Sequence, residues 1–214
     1  MSQEGAYYPD YGLQVEDAAS AGDKLGAANL VRYWWAWTFL ELSRRSATGP
    51  MRVVDVGCGC GYGTRILSEN MSGTVCGIDW DHSLVKHARK SYATPENFYR
   101  RINLKIPWAT QFADTDIAVC FSVLDEVAEW EFLVREMAAS LSRDGALLLS
   151  QPDSLGDRLH SELSNLFTSV VTDSEGEQQG TPEHKLFKYV YEVRNKFPEI
   201  DFSDRLIVCA GRRA

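Results

Sequence analysis

The segment VVDVGCGCGYGT at residues 53–64 constrains this chain more than any other. It opens as an apolar run that places Asp55 near the end of a strand. Glycines follow at 57, 59, 61 and 63, and the sequence passes directly into a helical pattern, GYGTRILSEN. A residue without a Cβ turns tightly and lets backbone come close to a ligand. A strand that ends in such a turn and feeds a helix belongs to an open α/β sheet. In those sheets ligands sit beyond the carboxyl ends of the strands, where the strand order reverses.

The rest of the chain repeats that alternation. Apolar runs predict strands at 51–56, 74–79, 97–102, 116–121, 146–150, 168–172 and 205–211. Apolar residues at helical spacing predict helices at 61–70, 82–92, 127–141, 155–167 and 186–197, with the RDG at 143–145 stopping the third of these. Strands separated by helices of this length build β-α-β units, and right-handed crossovers place helices on both faces. The expected fold class is α/β: doubly wound, with a mostly parallel seven-stranded sheet. Ahead of it, LGAANLVRYWWAWTFLELSRR reads as a helix carrying Leu30, Trp34, Trp37 and Leu40 on one side, ended by TGP at 48–50. We therefore expect a helical cap over residues 1–48 and a ligand-binding domain over 49–214. A chain of 214 residues with 44% hydrophobic content suits one core with a small cap.

Two ligand classes use a glycine-rich turn of this kind. A dinucleotide needs G-x-G-x-x-G so that its pyrophosphate rests on the helix N-terminus. Here Gly57, Gly59 and Gly61 alternate, and an acid stands two residues ahead of them. A carboxylate at that point repels a pyrophosphate and suits a ligand with an ammonium group. The run DVGCGCGYG resembles the D-x-G-x-G-x-G motif of class I S-adenosylmethionine-dependent methyltransferases, and the resemblance extends over roughly residues 30–170. It implies S-adenosylmethionine as the cofactor, the Rossmann-like methyltransferase fold, and a cofactor site at Asp55, Gly57, Cys58, Gly59 and Gly61.

The same resemblance assigns further positions. Asp79, closing TVCGID and 24 residues after Asp55, matches the family's acid that accepts the ribose hydroxyls, and Trp80 would lie against the adenine. A competing role for Asp79 is to cap the helix at 82, but Asp81 fits the cap better. Asn103 and Leu104 would border the adenine, and Phe121 with Ser122 the methionine portion. The run RYWWAW at 32–37 resembles an R-Y-x-x-A element of bacterial methyltransferases of glycan and natural-product pathways, in which Arg32 and Tyr33 would cover the methionine carboxylate. Packing of the cap helix accounts for most of the tryptophans.

Small-molecule relatives often read E-H after the fourth strand. This chain has FSVLDEV, so Glu126 takes that place without a histidine. Partial burial would suit Glu126 to accept the acceptor's proton; starting the helix at 127 is the alternative role. His160 and Asp153 are further catalytic candidates.

The expected function is methyl transfer to a small-molecule acceptor, O-directed on a sugar or secondary metabolite. The alternatives are protein or peptide methylation, or a cofactor-binding module without turnover. A net charge of −8 disfavours nucleic acid as substrate, and FSVLDE stands where amino-directed nucleic-acid enzymes carry an N-P-P-Y-type motif. Cys58 and Cys60 form a C-x-C pair with no second pair nearby, so buried free thiols are expected rather than a metal site. The start MSQEGAYYPDYG lacks a basic stretch followed by an apolar core, and no apolar run reaches bilayer length. The expectation is a cytoplasmic protein without membrane contact.

Overall fold

The computed structural model describes residues 24–44, 49–69, 72–152, 154–174, 182–198, 200 and 204–213. Asp153, one of the acid candidates, lies outside them, as do residues 1–23 of the expected cap.

The chain forms helix α1 (Lys24–Arg44), then β1 (Met51–Val56), α2 (Tyr62–Ser68), β2 (Gly73–Asp79), α3 (His82–Tyr92), β3 (Asn97–Arg101) and a short 3-10 turn (Ala109–Phe112). It continues as β4 (Thr115–Cys120), α4 (Trp130–Ser140), β5 (Leu141–Gln151), α5 (Gly156–Leu166), β6 (Phe167–Thr172), α6 (Pro182–Lys196) and β7 (Arg205–Arg212). The seven strands form one sheet in the order β3-β2-β1-β4-β5-β7-β6. All neighbours pair in parallel except β7, which runs antiparallel to both β5 and β6. The order reverses between β1 and β4, so a ligand crevice belongs at the carboxyl ends of those two strands.

Strand periodicity divides the core. In β1, Val53 faces one side and Val54 and Val56 the other. One layer packs α4 and α5, through Leu133, Met137, Leu159 and Leu163, on Val54, Ile78, Cys120 and Leu149. The opposite layer packs α1, α2 and α6, through Trp35, Leu40, Ile66 and Phe187, on Val53, Val75, Val119 and Leu148. The cap helix thus shares a core with the sheet. Trp34 and Trp35 are buried, and Trp35 stacks on Phe187 at 5.4 Å. Trp37 is half-buried and donates its indole N–H to the Glu69 carbonyl at 2.9 Å.

Two elements differ from their sequence expectation. Helix α4 begins at Trp130 rather than 127, because residues 123–126 close a turn in which the Glu126 amide donates to the Val123 carbonyl at 3.0 Å. Strand β5 begins at Leu141, and the RDG expected to stop the helix falls inside it. There the pairing slips: Thr115 faces Leu141, whereas Ile117 faces Ala146. The extra residues are absorbed as a bulge-like irregularity. Among the described residues no helix is long and apolar enough to cross a membrane.

Candidate functional site

A cavity of about 900 Å³ opens at the switch between β1 and β4. That is near the upper end of the roughly 300–1,000 Å³ typical of ligand pockets. The glycine turn forms its floor. Each glycine answers to a different neighbour. A Cβ on Gly57 would lie 2.3 Å from a Val123 methyl, so the turn can only close against the β4 loop with glycine there. Gly59 has a positive φ of 55°, and a Cβ there would meet nothing within 4 Å. Its backbone therefore lies bare, beside the cavity it lines.

Asp79 ends β2 at the cavity wall, 6% exposed. Its two oxygens are each held by one backbone N–H, from Gly59 at 2.9 Å and from Asp81 at 2.8 Å. A carboxylate oxygen has about two lone-pair sites, so each keeps one for a ligand hydroxyl. Asp81 caps α3, accepting from the Ser83 and Leu84 amides at 2.6 and 3.0 Å. The cap role thus belongs to Asp81, which leaves Asp79 facing the cavity. Trp80 follows, 65% exposed on the same wall. An indole so open to water is not part of the core.

Asp55 has a different setting. It is fully buried, and it is absent from the residues that line the cavity. The Thr64 hydroxyl donates to it at 2.6 Å, and the Tyr33 phenol donates at 3.1 and 3.3 Å to its two oxygens. Burial pushes the carboxyl up to about 7; the two hydroxyl bonds oppose that rise and the nearby Asp79 charge adds to it. Burial and the Asp55 charge also hold the Tyr33 phenol well above its ordinary value, so it stays a donor. The Tyr33 ring lies over Gly63, where a Cβ would come within 2.1 Å of it, and its edge meets Phe121 at 5.2 Å. Through Asp55, helix α1 is therefore fastened to β1 and α2 at the base of the site.

At the end of β4, Phe121 is buried and lines the cavity, and Ser122 takes a left-handed φ of 55°. That conformation is uncommon for a residue with a side chain. It is held by the Ser122 amide donating to Ser150 Oγ at 2.9 Å and by Ser122 Oγ donating to Asn29 Oδ1 at 2.9 Å. Arg32, 4% exposed, reaches Ser122 Oγ at 2.8 Å, Asn29 Oδ1 at 2.6 Å and Asp204 Oδ2 at 3.2 Å. All three partners belong to the protein.

The cavity gathers most of the positions expected from the sequence: Tyr33, Gly57, Cys58, Gly59, Asp79, Trp80, Asn103, Leu104, Phe121 and Glu126 all line it. Asp55 and Gly61 lie behind it. At Gly61 a Cβ would lie 2.6 Å from Ala88 and 2.8 Å from the Tyr99 ring, so this glycine serves the packing of α2 on α3 and β3. The Asn103 side-chain carbonyl accepts the Lys105 amide at 3.0 Å and closes a local turn, while its NH₂ has no partner among the described residues. Glu126 lines the cavity but is exposed rather than partly buried, and it stands four residues ahead of α4, so it does not start that helix. His160 is exposed on α5, whose buried side is Leu159 and Leu163, and it does not line the cavity. Asn29, Tyr62 and Val123 also line the site and were not singled out from the sequence. Asn29 could have been found, since it lies three residues before Arg32 on the same helix face. All five cysteines are free, and among the described residues no three His, Cys, Asp or Glu side chains come together as a metal site.

A doubly wound sheet with a bare glycine turn, a cavity-facing acid ending β2 and an exposed aromatic beside it defines an α/β protein with a ligand crevice at its strand switch. Comparison with known proteins narrows the class: the methyltransferase domain family matches residues 30–190, and the chain belongs to that family, the class I S-adenosylmethionine-dependent methyltransferases. It is 28% identical over 120 residues to a trans-aconitate 2-methyltransferase of Rhodopseudomonas palustris, covering 56% of this chain and 45% of that one. It is 30% identical over 127 residues to a probable S-adenosylmethionine-dependent methyltransferase of Mycobacterium tuberculosis, covering 58% and 44%. The matched region spans about half the length of these curated relatives. In fold it is similar to a plantazolicin methyltransferase solved with a desmethyl substrate analogue and S-adenosylhomocysteine, with a TM-score of 0.65, 12% identity and 86% of each chain covered. S-adenosylmethionine is the cofactor of this family. The site suits it: Asp79 offers two acceptor oxygens for a diol, and the bare turn at Gly59 lets a ligand approach the backbone.

Proposed function

We propose that this protein transfers a methyl group from S-adenosylmethionine to a hydroxyl of a small-molecule acceptor. One observation carries the reading: a single cavity runs from the Asp79 carboxylate, across the glycine turn, to the Glu126 carboxylate on the β4 loop. The first end suits a ribose and the second an acceptor.

When bound, the cofactor supplies a methyl on a sulfonium. Held by Asp79, Trp80 and the glycine turn, it would give up that methyl to the acceptor oxygen as the carbon–sulfur bond breaks, and would be left as the neutral thioether. The residues of the chain do the rest. Asp79 and Trp80 hold the nucleoside. Gly57, Gly59 and the Phe121 ring shape the methionine side. Tyr33 keeps α1 seated against that floor, so the acceptor meets a fixed and partly dry surface, which lowers the entropic part of the barrier. Glu126 takes the hydroxyl proton as the oxygen attacks. A general base is worth about 10²–10⁴-fold in rate.

The test has two stages. Calorimetry should show S-adenosylhomocysteine binding and no NAD binding; tight NAD binding without S-adenosylhomocysteine would overturn the cofactor. A metabolite screen with methyl-labelled cofactor then finds the acceptor. With it, Glu126→Gln should lower turnover by about 10²-fold or more and leave cofactor affinity unchanged. An unchanged rate removes Glu126 from the chemistry.

A further inference from the structure

The acidity of the chain is not evenly spread. Residues 80–106, from the residue after β2 through α3 and β3 to the loop beyond, hold six Lys or Arg and two acids. That is a net +4 in a chain of net −8, so the remaining residues carry −12. Strand β3 is the outermost on its side of the sheet, and α3 packs on it through Val85, Ala88 and Tyr99. Two further bonds tie this edge together: Arg89 Nε–H donates to the Tyr99 carbonyl at 2.9 Å, and Arg101 Nε–H to the Trp80 carbonyl at 3.2 Å. Elsewhere on the surface ion pairs are common, as between Arg52 and Asp114, Arg135 and Glu162, and Arg158 and Glu131. On this edge Lys105 pairs with Glu129 at 3.5 Å, whereas Lys86, Arg89, Lys90, Arg100 and Arg101 have no carboxylate partner among the described residues. Of the two acids, Asp81 is engaged as the cap of α3. The same edge holds every exposed large hydrophobic side chain among the described residues: Trp80, Leu84, Phe98 and Ile106. Trp80 and Leu84 line the cavity, as do Arg101 and Lys105, but Phe98 and Ile106 stand clear of it, 38% and 55% exposed.

A single apolar side chain on a surface needs no explanation, but a set of them confined to the one cationic edge of an acidic protein does. Cations and apolar side chains are interleaved along it. That is the pattern of a face lying in a lipid headgroup layer, with aliphatic and aromatic tips below the phosphates and Lys and Arg among them. A protein partner is held by a few anchors clustered in a packed centre, whereas Phe98 and Ile106 are separated along the chain by Arg100, Arg101 and Lys105. A nucleic-acid face is polar and cationic and gives Ile106 no role. Shape agrees. A plane meets the outermost strand first, and the strands beyond it stand back in steps of about 4.8 Å, soon past the Debye length of about 8 Å at physiological salt. We propose that the α3–β3 edge docks on an anionic phospholipid surface, with Phe98 and Ile106 entering the headgroup layer and Lys86, Lys90, Arg100 and Arg101 meeting the phosphates. The expectation of no membrane contact rested on the lack of a spanning run, which bears on crossing a bilayer and not on lying against one. The docking goes beyond the methyl-transfer reading and does not depend on it.

The test floats the full chain with vesicles of phosphatidylcholine alone, or of phosphatidylcholine and phosphatidylglycerol in equal parts. The protein should travel with the mixed vesicles and not with the neutral ones. Salt at about 1 M, where the Debye length is about 3 Å, should release it. Each Lys or Arg near an anionic surface is worth about fivefold in partitioning, so Lys86→Gln with Lys90→Gln should weaken it by about 25-fold. Phe98→Ser with Ile106→Ser should weaken it by about tenfold or more through lost apolar burial. All four positions lie outside the cavity lining. S-adenosylhomocysteine affinity should therefore stay unchanged in both variants, which also shows that they fold. Equal partitioning onto neutral vesicles, none onto the mixed ones, or partitioning that Lys86→Gln with Lys90→Gln leaves intact overturns the docking. So does tighter binding to duplex RNA than to mixed vesicles at equal phosphate concentration. Failure of the unaltered protein to bind S-adenosylhomocysteine overturns the methyl-transfer reading instead, and the vesicle result still decides the docking.

Discussion

Asp55 and Asp79 end neighbouring parallel strands, yet they are built for opposite purposes. Asp79 is held by backbone amides and turned toward the cavity. Asp55 is held by two side-chain hydroxyls from other elements and turned into the protein. The difference lies in what supplies the donors. Backbone N–H groups of the turn leave a carboxylate's outer lone pairs open. Hydroxyls from α1 and α2 close over it. One acid faces the cavity, and the other joins three elements.

The largest test of this contrast is at the turn between the two acids. Gly59→Val places a branched side chain at a φ of 55° and disturbs the amide that orients Asp79. S-adenosylhomocysteine binding should become unmeasurable by calorimetry while far-UV circular dichroism is retained. A folded variant with normal affinity would remove the turn from the site. Next, Asp79→Ala should weaken that binding by about 1.5–3 kcal/mol, the range for hydrogen bonds to a charged group, with little loss of stability. Tyr33→Phe should show the reverse pattern. It keeps the ring against Phe121 but removes one donor to a buried carboxyl, so a loss of about 1 kcal/mol in denaturant stability is expected, with cofactor affinity nearly unchanged. If Tyr33→Phe harmed binding as much as Asp79→Ala, the division between the two acids would fail.

The last effect is one of pH. The Asp55 carboxyl is raised from its ordinary range to about 7 in the folded protein. The folded state therefore binds the proton more tightly than the unfolded state. Its contribution to stability is fully present below about pH 4, declines as pH rises toward 7, and is gone above that. Asp55→Asn cannot ionise. The urea midpoint of the unaltered protein should thus fall relative to Asp55→Asn between pH 5 and pH 8. Parallel midpoints would mean that Asp55 titrates well below neutrality.

The strand pattern was legible because each apolar run stands between glycine or polar punctuation; β1 and α3 have the bounds that their periodicity predicts. The start of α4 was not, since Val127, Ala128 and Glu129 carry helical spacing but fall between the turn at 123–126 and the first helical residue, Trp130. The wall of the cavity was legible in part. Gly59, Asp79 and Trp80 follow from local order along β1 and β2. Which way Asp55 faces does not, because that depends on Tyr33, 22 positions earlier and on another layer. His160 could have been discounted from sequence alone: Leu159 and Leu163 mark the buried stripe of α5, and His160 is next to it on the outside.

The junction of Tyr33, Asp55 and Thr64 also limits how this scaffold can be recombined. Exchanging the acceptor-facing pieces, α1 and the β4 loop, for those of another sequence is the natural route to a new specificity. A donor helix that lacks a hydroxyl at the height of Tyr33 would leave Asp55 short of a partner in a place water does not reach, at a cost of about 1–3 kcal/mol before any acceptor is met. Successful chimaeras should therefore be those that import the helix together with its tyrosine, or that replace Asp55 in the same step.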